Sequence, residues 1–109
     1  MERLQDIRKA IINIENFTAP GKESFYSSKL IQSAVIYQIQ IVGEATYNIS
    51  KDFKSRNNEV SWAKIERTQH ILFHDYFTVN LDIIWFIVND HLPPLKKQIE
   101  EMLADGGDL

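Results

Sequence analysis

The sequence contains no cysteine, and this absence excludes three kinds of chemistry. Without thiols the chain forms no disulfide framework, no thiolate zinc site and no covalent intermediate on a cysteine nucleophile. A chain without cysteine is compatible with a cytoplasmic protein.

Long apolar runs are also missing. The longest wholly apolar stretch is I-I-W-F-I-V at 83–88, whereas a membrane-spanning helix needs about 20 residues. The first ten residues, M-E-R-L-Q-D-I-R-K-A, carry charges of both signs and lack the apolar stretch of a signal peptide. We therefore expect a protein that stays in the cytoplasm and does not use the membrane as a partner.

The chain has no excess of positive charge, since its formal net charge is −3. This value argues against a generally basic coat for nucleic acid, but it allows a local basic cleft because binding depends on where the charge lies. The length of 109 residues predicts a single domain over 1–109, with a short frayed tail from about 104.

Glycine and proline are scarce, and apolar residues recur at helical spacing between them. This pattern predicts an all-α, antiparallel up-and-down bundle of about five helices. The first covers about 2–17, with Leu4, Ile7, Ile11 and Ile14 on one face. A polar connection, K-E-S-F-Y-S-S, follows, and then one continuous helix over about 27–56, roughly 40 Å long.

Polar caps and prolines mark the remaining helices. Ser61 can cap a third helix over 62–75, and Asn80 can cap a fourth, L-D-I-I-W-F-I-V-N-D. Pro93 and Pro94 suit the first turn of a fifth. The apolar stripes on the long helix and on the Trp85 helix exceed what one bundle of this size readily covers, which predicts a dimer.

The predicted third helix carries an unusual cluster, E-R-T-Q-H-I-L-F-H-D-Y-F at 66–77. Positions three, four and seven apart share a helix face, so Arg67, His70 and His74 lie on one strip. Tyr76 falls largely on the opposite, core-facing side.

This strip can carry out metal-free RNA cleavage by internal transfer. A histidine can take the proton of a 2′-hydroxyl and return one to the leaving oxygen, while an arginine holds the phosphate. A zinc site on His70 and His74 is disfavoured, because no H-E-x-x-H pattern exists and Asp75 points away. The alternative is a solvated polar face whose charges pair with Glu66 or Asp75.

Four stretches of the chain resemble one known family in order and spacing: A-V-I-Y-Q-I-Q-I-V-G-E-A at 34–45, V-S-W-A-K-I at 60–65, H-D-Y-F-T-V-N-L-D-I-I-W at 74–85 and D-H-L-P-P-L-K-K-Q-I at 90–99. The resemblance is to the HepT-like branch of the HEPN superfamily and extends over about residues 2 to 103. It implies a helical bundle that forms a homodimer, with the two motif helices facing a shared cleft.

The resemblance also implies a function. Members are typically toxins of HEPN/MNT toxin–antitoxin pairs and act as ribonucleases that need no metal or other cofactor. Their signature is R-x(4–6)-H, commonly R-N-x-x-x-H-x-Y in this branch. The partner is a small MNT-type nucleotidyltransferase antitoxin, which in some systems adds AMP to the motif tyrosine.

The family motif maps unevenly onto this chain. His74 matches the family histidine and Tyr76 the tyrosine of H-x-Y. Gln69 occupies the usual arginine position, and His70 replaces the neighbouring asparagine. Arg67, seven residues before His74, satisfies only the widest spacing, and its long side chain, with His70 and Gln69 as assisting groups, is the candidate phosphate clamp.

Three functions therefore stay open. The first is an endoribonuclease with His74 as acid and base, Arg67 as clamp and Tyr76 as the modification site. The second is a catalytically weakened binding partner of the nucleotidyltransferase. The third is a dimeric helical scaffold whose polar stripe only solvates the interface.

Overall fold

The computed structural model describes residues 2–67 and 80–105, and all regular structure in these two stretches is helical. This confirms the predicted all-α class. The elements are α1 (Glu2–Thr18), α2 (Lys22–Ser27), α3 (Lys29–Tyr47), α4 (Lys51–Arg56), α5 (62–67), α6 (Leu81–Phe86), a π-helical turn (Ile87–His91) and α7 (Leu92–Ala104).

One face of α1 forms the centre of the core, as its spacing predicts. Leu4, Ile7, Ile11 and Ile14 are all buried, and α1 packs against both α3 and α7. Two ion pairs join α1 to α7: Arg8 Nε lies 3.1 Å from Glu100 Oε2, and Lys96 Nζ lies 3.0 Å from Glu15 Oε1. The residue numbers rise along one helix and fall along the other, so the two helices are antiparallel.

The core takes apolar side chains from every described helix. Its members are Leu4, Ile7, Ala10, Ile11, Ile14, Phe25, Val35, Ile39, Val42, Ala45, Ile49, Phe53, Val60, Trp62, Ile84, Ile87, Leu92, Leu95, Ile99 and Met102. None of the described helices combines the length and the apolar character needed to cross a lipid bilayer.

The segment expected as a polar connection after α1 is helical instead, so that expectation is wrong. Gly21 has φ +109°, a conformation that side-chain-bearing residues rarely adopt, and it turns the chain directly from α1 into α2. Phe25 of α2 is fully buried. A helix of six residues is too short to show apolar periodicity, so its burial comes from the tertiary packing.

The single helix expected over 27–56 is also wrong, because the chain breaks between α3 and α4. Asn48 ends α3, and its Nδ2 donates to the Glu44 carbonyl at 2.9 Å. Ser50 begins α4 as its N-cap, where its Oγ accepts from the Phe53 amide at 3.1 Å. Side-chain caps on both sides satisfy the backbone groups that the break exposes. The break leaves Ile49 and Phe53 both buried.

The expected fourth and fifth helices are not separate, since α6, the π turn and α7 follow one another without a gap. The Asn80 cap is confirmed, with Asn80 Oδ1 accepting from the Asp82 amide at 2.8 Å. Pro93 and Pro94 lie in the first turn of α7. Prolines inside a helical path lack amide donors and crowd the carbonyls four residues earlier, so a wider π turn immediately before them relieves that conflict.

Candidate functional site

The described structure contains one of the five site residues expected from the sequence. Arg67 is the last described residue of α5. Gln69, His70, His74 and Tyr76 lie outside the described residues. The described part of the candidate site consists of α5 and of the elements that contact the residues on either side of 68–79.

Aromatic packing fixes the start of α5 on α4. Trp62 is only 7% exposed, and its indole Nε1 donates to the Asn57 carbonyl at 3.0 Å. The ring also lies edge-on to Phe53, with 6.4 Å between ring centroids. The buried indole holds the helix in place by apolar contact, and its hydrogen bond fixes the orientation of the ring.

The first turn of α5 begins where the sequence predicts. The Ser61 carbonyl accepts from the amides of Lys64 and Ile65, at 3.1 and 3.2 Å. Helical residues then continue from 62 to the end of the described stretch at 67.

An ion pair joins α4 to α5 one residue before Arg67. Lys54 Nζ lies 2.6 Å from Glu66 Oε1, and the two side chains are only 18% and 32% exposed. Because the pair is partly shielded from water, its attraction is screened less than that of an open surface pair. Together with the buried Trp62, it constrains the rotation of α5 about its own axis.

That rotation directs Arg67 outward. Glu66 faces α4, and the next residue on a helix points about 100° away, so Arg67 is exposed. Lys64, three residues earlier, is exposed on the same side of the helix. No carboxylate among residues 2–67 and 80–105 pairs with Arg67. The exposed guanidinium is the candidate group on this face for contact with an anion.

On the C-terminal side of residues 68–79, α2 contacts the start of α6. The Tyr26 hydroxyl donates a hydrogen bond to the Asp82 carboxylate in the first turn of α6. Trp85 packs on Phe25 with 5.2 Å between ring centroids. The hydrogen bond to Asp82, with smaller contributions from burial and from the carboxylate charge, raises the pKa of Tyr26 above its usual value. The phenol therefore keeps its proton and the contact at neutral pH.

A cavity of about 260 Å³ opens beside the start of α5. Its floor is apolar and comes from α3, α7 and the π turn. Its mouth is polar and carries Glu59, Lys64, Asp90, His91 and Gln98. The Gln98 amide donates to the Glu59 carbonyl at 3.3 Å, which closes one side of the mouth.

Among the described titratable groups at this mouth, His91 is the least exposed. Its ring is half-buried and lies edge-on to Phe86, with 5.0 Å between ring centroids. Desolvation by burial, together with the nearby Lys64 charge, lowers the pKa of His91 below 6.5, while Asp90 partly opposes this shift. Neutral imidazole is therefore the dominant form at neutral pH, with one donor and one acceptor nitrogen.

A metal centre finds no support in the described part of the chain. Residues 2–67 and 80–105 contain no group of three His, Cys, Asp or Glu side chains arranged to hold an ion. In the same residues no buried side-chain nitrogen or oxygen lacks a hydrogen-bond partner.

Several residues that shape the site carry no recognisable signal in the sequence. Trp62, Lys54 and Tyr26 act through partners that are distant along the chain or on another helix. His91 stands in the D-H-L-P-P-L stretch, where the two prolines indicate a special backbone but assign the histidine no role. These contacts become visible only in the tertiary structure.

Comparison with known proteins gives the family. The profile described as Ribonuclease HepT-like matches residues 7–102. A protein of Thermococcus cleftensis named "Probable ribonuclease HepT" is 39% identical over 100 residues, which cover 91% of each chain. "Putative RNase MJ0127" of Methanocaldococcus jannaschii is 36% identical over 103 residues, covering 94% of this chain and 85% of the relative.

A second M. jannaschii protein places the same unit inside a longer chain. "Gamma-glutamylcyclotransferase and putative RNase MJ0434" is 34% identical over 103 residues, which are 94% of this chain but 46% of that relative. No solved structure gave a significant match.

The described residues form an all-helical domain with an exposed arginine, Arg67, at the start of the motif segment. The chain belongs to the ribonuclease HepT-like family, since the profile covers nearly all of it and relatives above 30% identity span most of their own length.

Proposed function

We propose that this protein is a metal-independent endoribonuclease and the toxin of a toxin–antitoxin pair. The observation that carries the proposal is the family match over residues 7–102. The exposed Arg67, held by the Lys54–Glu66 pair on an outward face, supports it as a phosphate clamp.

In the proposed reaction the nucleophile is the 2′-hydroxyl of the RNA, and the protein supplies the base, the acid and the phosphate contact. His74 takes the proton of the 2′-hydroxyl, and the 2′-oxygen attacks the adjacent phosphorus. The bond to the 5′-oxygen breaks, and His74 returns a proton to that oxygen. The products are a 2′,3′-cyclic phosphate and a free 5′-hydroxyl. Arg67 neutralises charge on the phosphate oxygens, assisted by His70 and Gln69.

We further propose that two copies form the cleft. Leu30 is 82% exposed and Tyr37 is 61% exposed, and their spacing of seven places them on one face of α3. An apolar face of this kind favours a protein contact over water.

Light scattering should show a dimer, and Leu30→Glu with Tyr37→Glu should give a monomer. Tyr47→Glu, an exposed aromatic about a quarter turn away, is the matched control.

The proposed partner is an MNT-type nucleotidyltransferase that acts as the antitoxin. Transfer of AMP from ATP to the Tyr76 hydroxyl would release pyrophosphate and add a bulky negative group that repels RNA. Mass spectrometry after incubation with the partner and ATP should show a gain of AMP size that is absent from Tyr76→Phe.

A second candidate function is a catalytically weakened binding partner of the nucleotidyltransferase. Gln69 favours it, since it stands where the family motif has an arginine and brings no charge to the phosphate. Replacing one charge-assisted contact costs about a hundredfold in rate. Gln69→Arg should then increase cleavage about a hundredfold, whereas an unchanged rate would show that Arg67 already supplies the clamp.

The direct test is cleavage of single-stranded RNA by the purified protein in the presence of a metal chelator. His74→Ala should abolish cleavage, and Arg67→Gln should lower it about a hundredfold. Arg56→Gln is the matched control, because Arg56 is exposed on α4 and pairs with Asp52. No cleavage by the wild type, or equal cleavage by His74→Ala, would reject the catalytic proposal.

A further inference from the structure

The cavity beside α5 lies next to the expected path of the RNA. Lys64 stands at its mouth, and Arg67 is three residues further along the same helix. Residues three apart are neighbours on a helix surface. A strand whose phosphate contacts Arg67 thus passes within reach of the cavity.

The size of the cavity limits what it can hold. Pockets for drug-sized ligands measure about 300–1,000 Å³, and this cavity, at about 260 Å³, falls just below that range. It suits one ring system or one nucleoside and is too small for a longer group.

Its charges argue against an anion. Among the described lining residues, two carboxylates, Glu59 and Asp90, and one ammonium, that of Lys64, stand at the mouth. His91 contributes no charge at neutral pH, because burial and Lys64 favour its neutral form. The described residues therefore give the mouth no excess of positive charge for a phosphate. A neutral group with polar edges fits better.

The distribution of polar and apolar atoms narrows the ligand further. The floor is formed by buried apolar side chains that include Val42, Ile87 and Leu95. The mouth offers carboxylate acceptors and an imidazole that can both donate and accept a hydrogen bond. Apolar faces and hydrogen-bonding edges are the chemistry of a nucleobase, and histidine rings serve as stacking partners for unstacked bases.

The π turn contributes to the cavity wall. It carries Ile87, Asp90 and His91 to the cavity wall, at a place where the backbone departs from the regular helix. Turns of this type occur frequently at functional sites.

We propose that this cavity receives one unstacked nucleobase of the RNA, with His91 and Asp90 contacting its polar edge. The inference rests on the proposed ribonuclease function, of which it describes a substrate subsite. The cavity then gives the protein a preference for the base next to the cleaved bond.

The test uses the four ribonucleosides, which carry a base but no phosphate, and ribose 5-phosphate, which carries a phosphate but no base. Each is titrated into ¹⁵N-labelled protein and followed by NMR. At least one nucleoside should shift the amides of Ser61, Lys64 and His91 saturably, whereas ribose 5-phosphate should not.

Variants of the residues at the cavity mouth provide a second test of nucleoside binding. His91→Gln and Asp90→Asn should each weaken nucleoside binding about tenfold, the loss expected for one hydrogen bond. Asp105→Asn, an exposed acid outside the cavity, should leave binding unchanged. In cleavage assays on oligonucleotides that differ in one base, His91→Gln should reduce the ratio between preferred and disfavoured substrates.

The outcomes separate this inference from the proposed function. Cleavage by a wild type that binds no nucleoside in the cavity would overturn the inference and leave the ribonuclease intact. Nucleoside binding in the cavity without RNA cleavage would support the base subsite and reject the ribonuclease proposal. Amide shifts at the cavity that appear only with the nucleotidyltransferase would overturn the inference in favour of a protein contact.

Discussion

The Tyr26 hydroxyl donates a hydrogen bond to the Asp82 carboxylate and so ties α2 to the first turn of α6. The two residues are 56 positions apart in the chain. Asp82 follows closely after the 68–79 segment, which contains His70, His74 and Tyr76. This contact and the Lys54–Glu66 pair therefore fix described residues on either side of that segment.

We expect Tyr26→Phe to lower Tm at neutral pH, because the carboxylate of Asp82 loses its donor while the ring packing is retained. The raised pKa gives the sign of the pH dependence. The stabilisation is fully present below pH 10, the ordinary value, and is lost as pH rises through the folded-state pKa. Thermal unfolding of both proteins across this range measures it. Tyr47→Phe is the control, and an equal decrease in Tm there would contradict the role of the Asp82 contact.

The Lys54–Glu66 pair should show measurable coupling. In a double-mutant cycle with Lys54→Met and Glu66→Gln, we expect a coupling free energy of up to about 1 kcal/mol that decreases with added salt. The Arg56–Asp52 pair, with side chains 66% and 80% exposed, should couple less. Urea unfolding at low and high salt gives both values. Equal coupling in the two pairs would show that partial burial of Lys54 has no energetic effect.

Ser50 should contribute to stability as the cap that starts α4. Replacing it with alanine leaves the Phe53 amide without its side-chain acceptor and should cost about 1 kcal/mol. Ser33, exposed within α3, is the control, since alanine is favoured in a helix interior and Ser33→Ala should not destabilise the protein. The two variants are compared by urea unfolding. An equal effect at both positions would argue against the capping role.

His91 should titrate below pH 6.5, and Lys64→Met should raise its pKa because one of the causes of the shift is removed. In the window between the folded-state pKa and 6.5 the unfolded chain binds the proton more readily, so stability falls as pH decreases through this window. NMR titration of the imidazole measures the pKa directly. His91→Gln should reduce the acid-side loss of stability. A His91 pKa at or above 6.5 would contradict the burial argument.

Much of the fold follows from local sequence patterns. The spacing of Leu4, Ile7, Ile11 and Ile14 predicts the buried face of α1, and Asn80 predicts the start of α6. These features depend on residues within a few positions of one another, where helical geometry alone fixes the relation.

Less of the candidate site can be predicted from the sequence. A helical wheel sets Arg67 on a polar strip, and the described structure has it exposed. The wheel contains no information on Glu66 reaching Lys54, or on His91 lining a cavity with Lys64. Those relations join residues from different helices.

The sequence by itself determined the helical class, the buried face of α1 and the family, because periodic burial and motif order are properties of the linear chain. Only the tertiary structure decided the burial of Phe25 in α2, the break at 48–50 and the continuous path from α6 to α7. It also decided the cavity beside α5. Each of these depends on which helices meet, and packing between distant segments overrides the weak local preferences of short stretches.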